Sequence, residues 1–374
     1  MTEFLPFEME RVMCKWENVV DYNLSESGVH SLTVEELVED QGVVKQLLNM
    51  PLNYPQGNGI IELRENIAAL YPGATPDNAL VTVGGAEANF DTIQALVAPG
   101  EEMVMMLPNY MQIWGVAKNF GITVKEFHLR EERGWAPDLD ELAEVVSDKT
   151  KLIAVCNPNN PTGYILTGEE MEAIVAVAER VGAWILSDEV YTGAERLTDT
   201  ETPSFWGKYD KSLCTNSLSK AYGLPGLRIG WVAGPADTVD DIAMRHEYVT
   251  IGASMLSNHL AGYALSPEVR PRLIQRARNY VRRGYPILDS WLEGHEGLFS
   301  VVPPQAAAIA YVQYHMDINS TELIMRLIEE HSVLIVPGDQ FGMDHYLRIS
   351  HGLPEDRLRA GLDRIDEGIK ELQG

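Results

Sequence analysis

Between residues 79 and 188 the chain alternates short apolar runs with amphipathic helical segments, and this alternation restricts the fold more than any other feature of the sequence. Ala79–Val83 is strand-like. A segment with Phe90, Ile93 and Val97 on one helical face follows, stops at Pro99-Gly100 and gives way to Glu102–Leu107. The pattern then repeats. Lys151–Cys156 is apolar, and Thr167-Gly-Glu-Glu170 has the spacing at which a hydroxyl and a carboxylate satisfy each other's free N–H groups at a helix start. Met171, Ile174, Val175 and Ala178 share one face behind it, and Gly182 ends that helix before Ala183–Ser187. Strands this apolar need cover on both sides, and helical crossovers between them imply a mostly parallel sheet.

After about residue 255 the pattern changes. Long charged helical stretches, Glu268–Trp291 and Glu355–Leu372, flank short strands at Ala308–Gln313 and Tyr346–Ser350. In the last helix Leu358, Leu362, Ile365, Ile369 and Leu372 form a single apolar stripe. The expected organisation is a large α/β domain over residues 45–255. A smaller α+β domain would be formed by residues 1–44 together with 256–374.

Of the 374 residues, 29 are Lys or Arg and 55 are Asp or Glu, a net charge of −26 that makes nucleic acid a poor partner. No apolar run has the length of a bilayer span, so no membrane partner is expected. The acids Glu3, Glu8 and Glu10 are wrong for a secretory leader. Cys14, Cys156 and Cys214 are too scattered for a disulfide framework or a zinc site. A cytoplasmic location and no metal are expected.

The chemistry concentrates in Ser217-Leu-Ser-Lys220-Ala-Tyr-Gly-Leu-Pro-Gly226-Leu-Arg228-Ile-Gly230. Here one lysine stands among small residues and turn formers, and glycines allow a ligand to approach the backbone. A lysine without acidic sequence neighbours is a candidate for a lowered pKa and for imine formation with an aldehyde. Upstream, Asn157-Pro-Asn-Asn160-Pro-Thr-Gly163 follows one strand, and Ser187-Asp188-Glu-Val-Tyr191 ends the next, where ligands gather in parallel sheets. Val83-Gly84-Gly85-Ala86-Glu87 joins a strand to a helix start, a place suited to phosphate.

Taken in order, these segments resemble the fold-type-I pyridoxal 5′-phosphate (PLP) enzymes of the class I/II aminotransferase family. The resemblance extends to Tyr54, Gly59 and Leu63-Arg64, to Pro108-Asn-Tyr110 and to Val336-Pro-Gly-Asp-Gln-Phe-Gly342. It implies a large domain with a mixed, mostly parallel sheet of the seven-stranded type. Lys220 is then the amine joined to the cofactor's aldehyde and the acid/base at the substrate α-carbon, and Asp188 keeps the ring nitrogen protonated. Tyr191 and Asn160 are implied at the ring 3′-oxygen and Tyr110 over the ring. Arg228, Ser217 and the N–H groups of Gly85 and Ala86 are implied at the phosphate. Tyr54 would reach that phosphate from a second subunit of a homodimer. Arg348, helped by backbone near Gly28, would hold the substrate α-carboxylate. The partners implied are an amino acid and a 2-oxo acid.

Two departures from the family pattern stand out. Ala86 replaces a hydroxyl residue in the phosphate cup, and Pro304-Gln-Ala-Ala-Ala308 stands where relatives have Lys-Gly-Gly, so its methyl groups are expected to narrow the substrate entrance. No second arginine is assignable to a side-chain carboxylate. The reaction implied is transamination. The alternative is elimination with ring closure, because Ser25-Glu-Ser-Gly-Val-His30 and Ala136-Pro-Asp-Leu-Asp140 are similar to enzymes that make capreomycidine from β-hydroxyarginine. In that reading His30 is a candidate pocket residue and Glu26 a candidate partner for a guanidinium.

Overall fold

The structure, a computed structural model, describes residues 4–373. Its strands are β1 (Tyr22–Asn23), β2 (Ala79–Thr82), β3 (Glu102–Leu107), β4 (Thr123–Arg130), β5 (Ala136–Pro137), β6 (Thr150–Cys156) and β7 (Trp184–Asp188). They continue as β8 (Ser212–Ser217), β9 (Gly230–Ala233), β10 (Phe299–Val301), β11 (Ile309–Tyr314), β12 (Val333–Leu334), β13 (Val336–Pro337) and β14 (Tyr346–Ser350). The larger sheet has the order β2-β9-β8-β7-β6-β3-β4-β5. Its centre, from β4 through β3, β6 and β7 to β8, is parallel. β9 runs antiparallel between β8 and β2. The eighth strand, the two-residue β5, pairs antiparallel with β4 and extends the expected seven-stranded type by one short edge.

Side-chain alternation shows why the sheet is covered on both faces. In β3, Val104 and Met106 enter one apolar core while Met103 and Met105 enter another. In β6, Ile153 and Val155 divide from Leu152 and Ala154 in the same way. Successive residues of a strand point to opposite faces, so an unbroken apolar run fills two cores. The crossover helix Gly168–Val181 carries the expected capping box: the Thr167 hydroxyl accepts from the Glu170 N–H at 3.2 Å and the Glu170 carboxylate accepts from the Thr167 N–H at 2.8 Å. It ends at Gly182 in the left-handed conformation (φ 70°).

A second, antiparallel sheet has the order β10-β11-β14-β13. The stripe on the helix Glu355–Gln373 is buried, with Leu358, Leu362, Ile365 and Ile369 all in the main apolar core. The N-terminal segment joins this part of the molecule through β1, which pairs in parallel with β12. Two helices cut across the boundaries expected from sequence. Met255–Leu265 packs on Ile61–Ala68, where Asn66 donates to the Gly262 carbonyl at 2.9 Å. Glu8–Trp16 reaches over the large sheet, where Glu10 accepts from the Tyr110 hydroxyl at 2.8 Å.

Candidate active site

The parallel strands β6, β7 and β8 end at one rim. A cavity of about 740 Å³ opens there, lined by Gly85, Ala86, Tyr110, Asn160, Asp188, Tyr191, Ser217, Lys220 and Arg228. Residues spread over more than a hundred positions of sequence are therefore brought to one chamber. Lys220 follows β8 on a loop whose backbone is held from behind, because the Val29 N–H donates to the Lys220 carbonyl at 3.2 Å. Gly28 lies against the same loop. A Cβ there would come within 2.8 Å of the Ser219 carbonyl and 3.1 Å of the Lys220 Cα, so no larger residue fits. Burial lowers the pKa of the Lys220 ammonium, with Arg348 and Arg228 acting in the same direction and Glu26 and Glu10 opposing.

Asp188 ends β7 and is 4% exposed. Burial pushes its carboxyl pKa up, while hydrogen bonds from Asn89 and from the Val190 N–H, and the charge of Lys220, pull it down. Asn89 sits one turn into the helix Gly85–Leu96 and donates to Asp188 at 3.2 Å, while its own oxygen accepts from Thr215 at 2.8 Å. Sequence reasoning missed Asn89. Its position four residues after Gly85, on the inward face of the same helix, was the available signal.

Gly85, Ala86 and Glu87 form the first turn of that helix, and their N–H groups have no intrahelical acceptor. The Arg228 guanidinium lies against Gly84, where any Cβ would collide with it, so a cation and a helix N-terminus meet at one place. Arg228 also donates to the Ser219 hydroxyl at 3.4 Å and to the Pro225 carbonyl at 3.1 Å. This donor set, an amine and a carboxylate at the ends of neighbouring strands and a cationic helix N-terminus beside them, matches the aldehyde, ring nitrogen and phosphate of PLP.

Arg348, on β14, is 3% exposed and lies next to the chamber. It donates to Asn160 at 3.1 Å and to the Ser25 carbonyl at 2.6 Å, and its Nε has no partner. No carboxylate of the described residues pairs with it, so this buried guanidinium has no counter-charge in the fold. Tyr191 is buried, with the Ser27 hydroxyl beside it.

Two expectations, those for His30 and for Pro304–Ala308, are corrected by the structure. The His30 ring packs on Tyr280, ring centres 6.0 Å apart, and does not line the chamber. Its backbone N–H is tied to the Gly352 carbonyl, which turns the ring outward. Pro304–Ala308 does not narrow the entrance: Ala307 is buried with Cys156, Val190, Tyr191 and Ile309 behind the chamber wall. Tyr54 is 86% exposed and does not line the chamber of its own chain.

The chamber also has an acidic wall of which sequence reasoning named only Glu26. Glu10, Met13 and Glu17, at helical spacing along the N-terminal segment, line it together with Glu26. Burial, Glu26 and Glu10 together raise the Glu17 pKa, and Lys220 lowers it.

A fold-type-I PLP enzyme is the class that this fold and this constellation define. Residues 24–365 match the family model for aminotransferase class I and II, and the chain belongs to that family. Capreomycidine synthase of Streptomyces vinaceus is 32% identical over 93% of this chain and 89% of its own. The aspartate/prephenate aminotransferase of Thermus thermophilus is 28% identical over 83% and 82%. Among solved structures, a PLP-dependent aminotransferase from Streptococcus suis superposes with a TM-score of 0.92 at 32% identity, covering 99% of both chains. The PLP-dependent cyclase OrfR gives 0.88 at 25% identity, covering 99% of this chain and 98% of its own. The cofactor is PLP.

Proposed function

We propose that the chain is an aminotransferase that moves the α-amino group of an L-amino acid with a cationic side chain to a 2-oxo acid. The observation that carries the substrate class is the crowding of Glu10, Glu17 and Glu26 on one wall of the chamber, where burial first and then the Glu26 and Glu10 charges raise the pKa of Glu17. Like charges held together in a partly dehydrated space are relieved by a guanidinium or ammonium group, and a side-chain carboxylate would be repelled there.

When bound, PLP supplies an aldehyde and an electron-withdrawing ring that stabilises negative charge at the substrate α-carbon. Lys220, its ammonium destabilised by burial, would be the amine that meets the aldehyde and the group that would carry the proton at the α-carbon. Asp188 would keep the ring nitrogen protonated, and Asn160 and Tyr191 would hold the 3′-oxygen. Gly85, Ala86, Ser217 and Arg228 would hold the phosphate, with Ala86 bringing only its backbone N–H. Tyr110 walls the chamber, and its hydroxyl is occupied by Glu10. Arg348 receives the α-carboxylate.

A second reading, elimination and ring closure on a β-substituted basic amino acid such as hydroxyarginine, draws on the same wall and on the likeness to capreomycidine synthase and OrfR. The two readings share the α-carbon proton transfer and differ in what leaves afterwards. Mixing the holoenzyme with single amino acids separates them. Transamination converts the cofactor to its aminated form without an acceptor, whereas water or ammonia release, or a cyclic product with unchanged cofactor, rejects it.

The active unit is proposed to be a homodimer with Tyr54 entering the partner's site. Exposure of Leu52, Tyr54, Tyr248 and Ile251 supports this, as does the close approach of the Tyr54 and Ile251 segments, where a Cβ on Gly57 would lie 2.8 Å from the Ile251 carbonyl. A cytoplasmic setting is supported by free thiols at Cys14, Cys156 and Cys214. No helix of the described residues is long and apolar enough to cross a membrane.

A further inference from the structure

Directly behind the phosphate-binding turn, the helix Gly85–Leu96 points two carboxylates away from the chamber. Glu87 and Asp91 lie one turn apart and face His246, the final residue of the helix Ala236–His246. All three are buried, at 8%, 0% and 1% exposure. The His246 Nδ1 lies 3.4 Å from an oxygen of each carboxylate. Neither Asp91 oxygen and neither ring nitrogen has a hydrogen-bond partner, so the contacts between ring and carboxylates are of charge at 3.4 Å. Two buried carboxylates facing a neutral ring would be left without any compensating charge, and a proton on the ring supplies it. Burial opposes that proton, but the two carboxylates outweigh burial and hold the His246 pKa up at about 9.

Glu87 also has a second task. Its carboxylate accepts from the Val83 N–H and, at 2.8 Å, from the Thr250 hydroxyl. Val83 immediately precedes Gly84 and Gly85, so whatever fixes Glu87 fixes the backbone as it bends into the cup.

We propose that His246, as an imidazolium between Glu87 and Asp91, is a positioning residue for the cofactor's phosphate. It orients Glu87, and through Glu87 the Val83–Ala86 turn, and it cancels a carboxylate charge that would otherwise stand behind the phosphate. A divalent cation held by the same three side chains is the competing account. Elemental analysis of the purified protein separates the two accounts. The inference rests on the proposed placement of the phosphate at Gly85, Ala86 and Arg228.

The test compares binding of PLP with binding of pyridoxal, which lacks the phosphate, by wild type, Arg228→Gln, His246→Gln and Thr250→Val. His246→Gln is expected to weaken PLP binding about tenfold or more while pyridoxal changes by less than about twofold. Thr250→Val, which removes one bond to Glu87 near the surface, is expected to show the same selectivity with a loss of about threefold, and it decides the matter if His246→Gln does not fold. Equal weakening of both ligands, or unchanged PLP binding, overturns the proposal. So does one equivalent of divalent metal in the purified wild type by elemental analysis. If Arg228→Gln itself fails to discriminate the two ligands, the phosphate placement falls and takes the proposal with it. If Arg228→Gln discriminates and the other two do not, the proposal alone falls.

Discussion

Asn89 donates a 3.2 Å hydrogen bond to Asp188 from the helix that starts at Gly85, so one rigid element reaches from the chamber's glycine turn to its buried carboxylate. Its oxygen is held in turn by Thr215. Asn89→Ala leaves a buried carboxylate with one donor fewer, and turnover is expected to fall about tenfold or more with PLP still bound. An unchanged rate in single-turnover measurements would remove Asn89 from this role.

Lys220→Ala is expected to bind PLP without covalent attachment. Borohydride treatment followed by intact-protein mass spectrometry should add the cofactor's mass to wild type and leave the variant unlabelled. Labelling that persists in the variant would assign the covalent link elsewhere.

The acidic wall makes a specificity prediction. Glu17→Gln and Glu26→Gln should each raise KM for a basic amino acid several-fold, on the order of the 1 kcal/mol of a partly exposed ion pair, and leave KM for a neutral one nearly unchanged. Equal effects on both classes would show that the wall shapes the chamber without selecting charge.

Glu189, 3% exposed beneath Asp188, has its pKa raised to about 7 by burial, against hydrogen bonds from the Phe205 N–H and the Ser204 hydroxyl. Its folded-state pKa lies above the unfolded value of 4.5, so the folded state binds the proton more tightly and stability falls as pH rises between about 4.5 and 7. Glu189→Gln should flatten that part of the thermal-melting profile. Parallel profiles for the two proteins would contradict the assignment.

If Tyr54 serves a neighbouring chain, Tyr54→Ala and Lys220→Ala preparations, each nearly inactive, should regain activity when unfolded and refolded together. The mixed dimer then contains one site with both residues intact. No gain over the separate preparations would place Tyr54 outside the site.

Much of the site was legible because its motifs are local. A strand end, a glycine turn and a helix start each bring their own backbone geometry, and Lys220, Asp188, Asn160, Tyr191, Ser217 and Arg228 each sit in such a segment. What was not legible depends on how distant segments pack. Glu10 and Glu17 carry no motif, and the helix bearing Glu10 shows its inward face only once it lies over Tyr110. His30 sits two residues from Gly28, which touches the lysine loop, yet a backbone bond to Gly352 turns its ring to the other side. The run Pro304–Ala308 carries no sequence sign that Ala307 packs behind Tyr191, and the helix Met255–Leu265 is placed by its fit to Ile61–Ala68 more than by its position in sequence.

The pairing of β1 with β12, and the bond from Arg348 to the Ser25 carbonyl, bind residues 22–25 to residues 333–348. During synthesis the lysine, the aspartate and the cup are all made long before that late segment leaves the ribosome, while residues 22–25 wait without their partners. The tie between residues 22–25 and these later strands therefore closes only after the chamber's lysine, aspartate and glycine turn have been made.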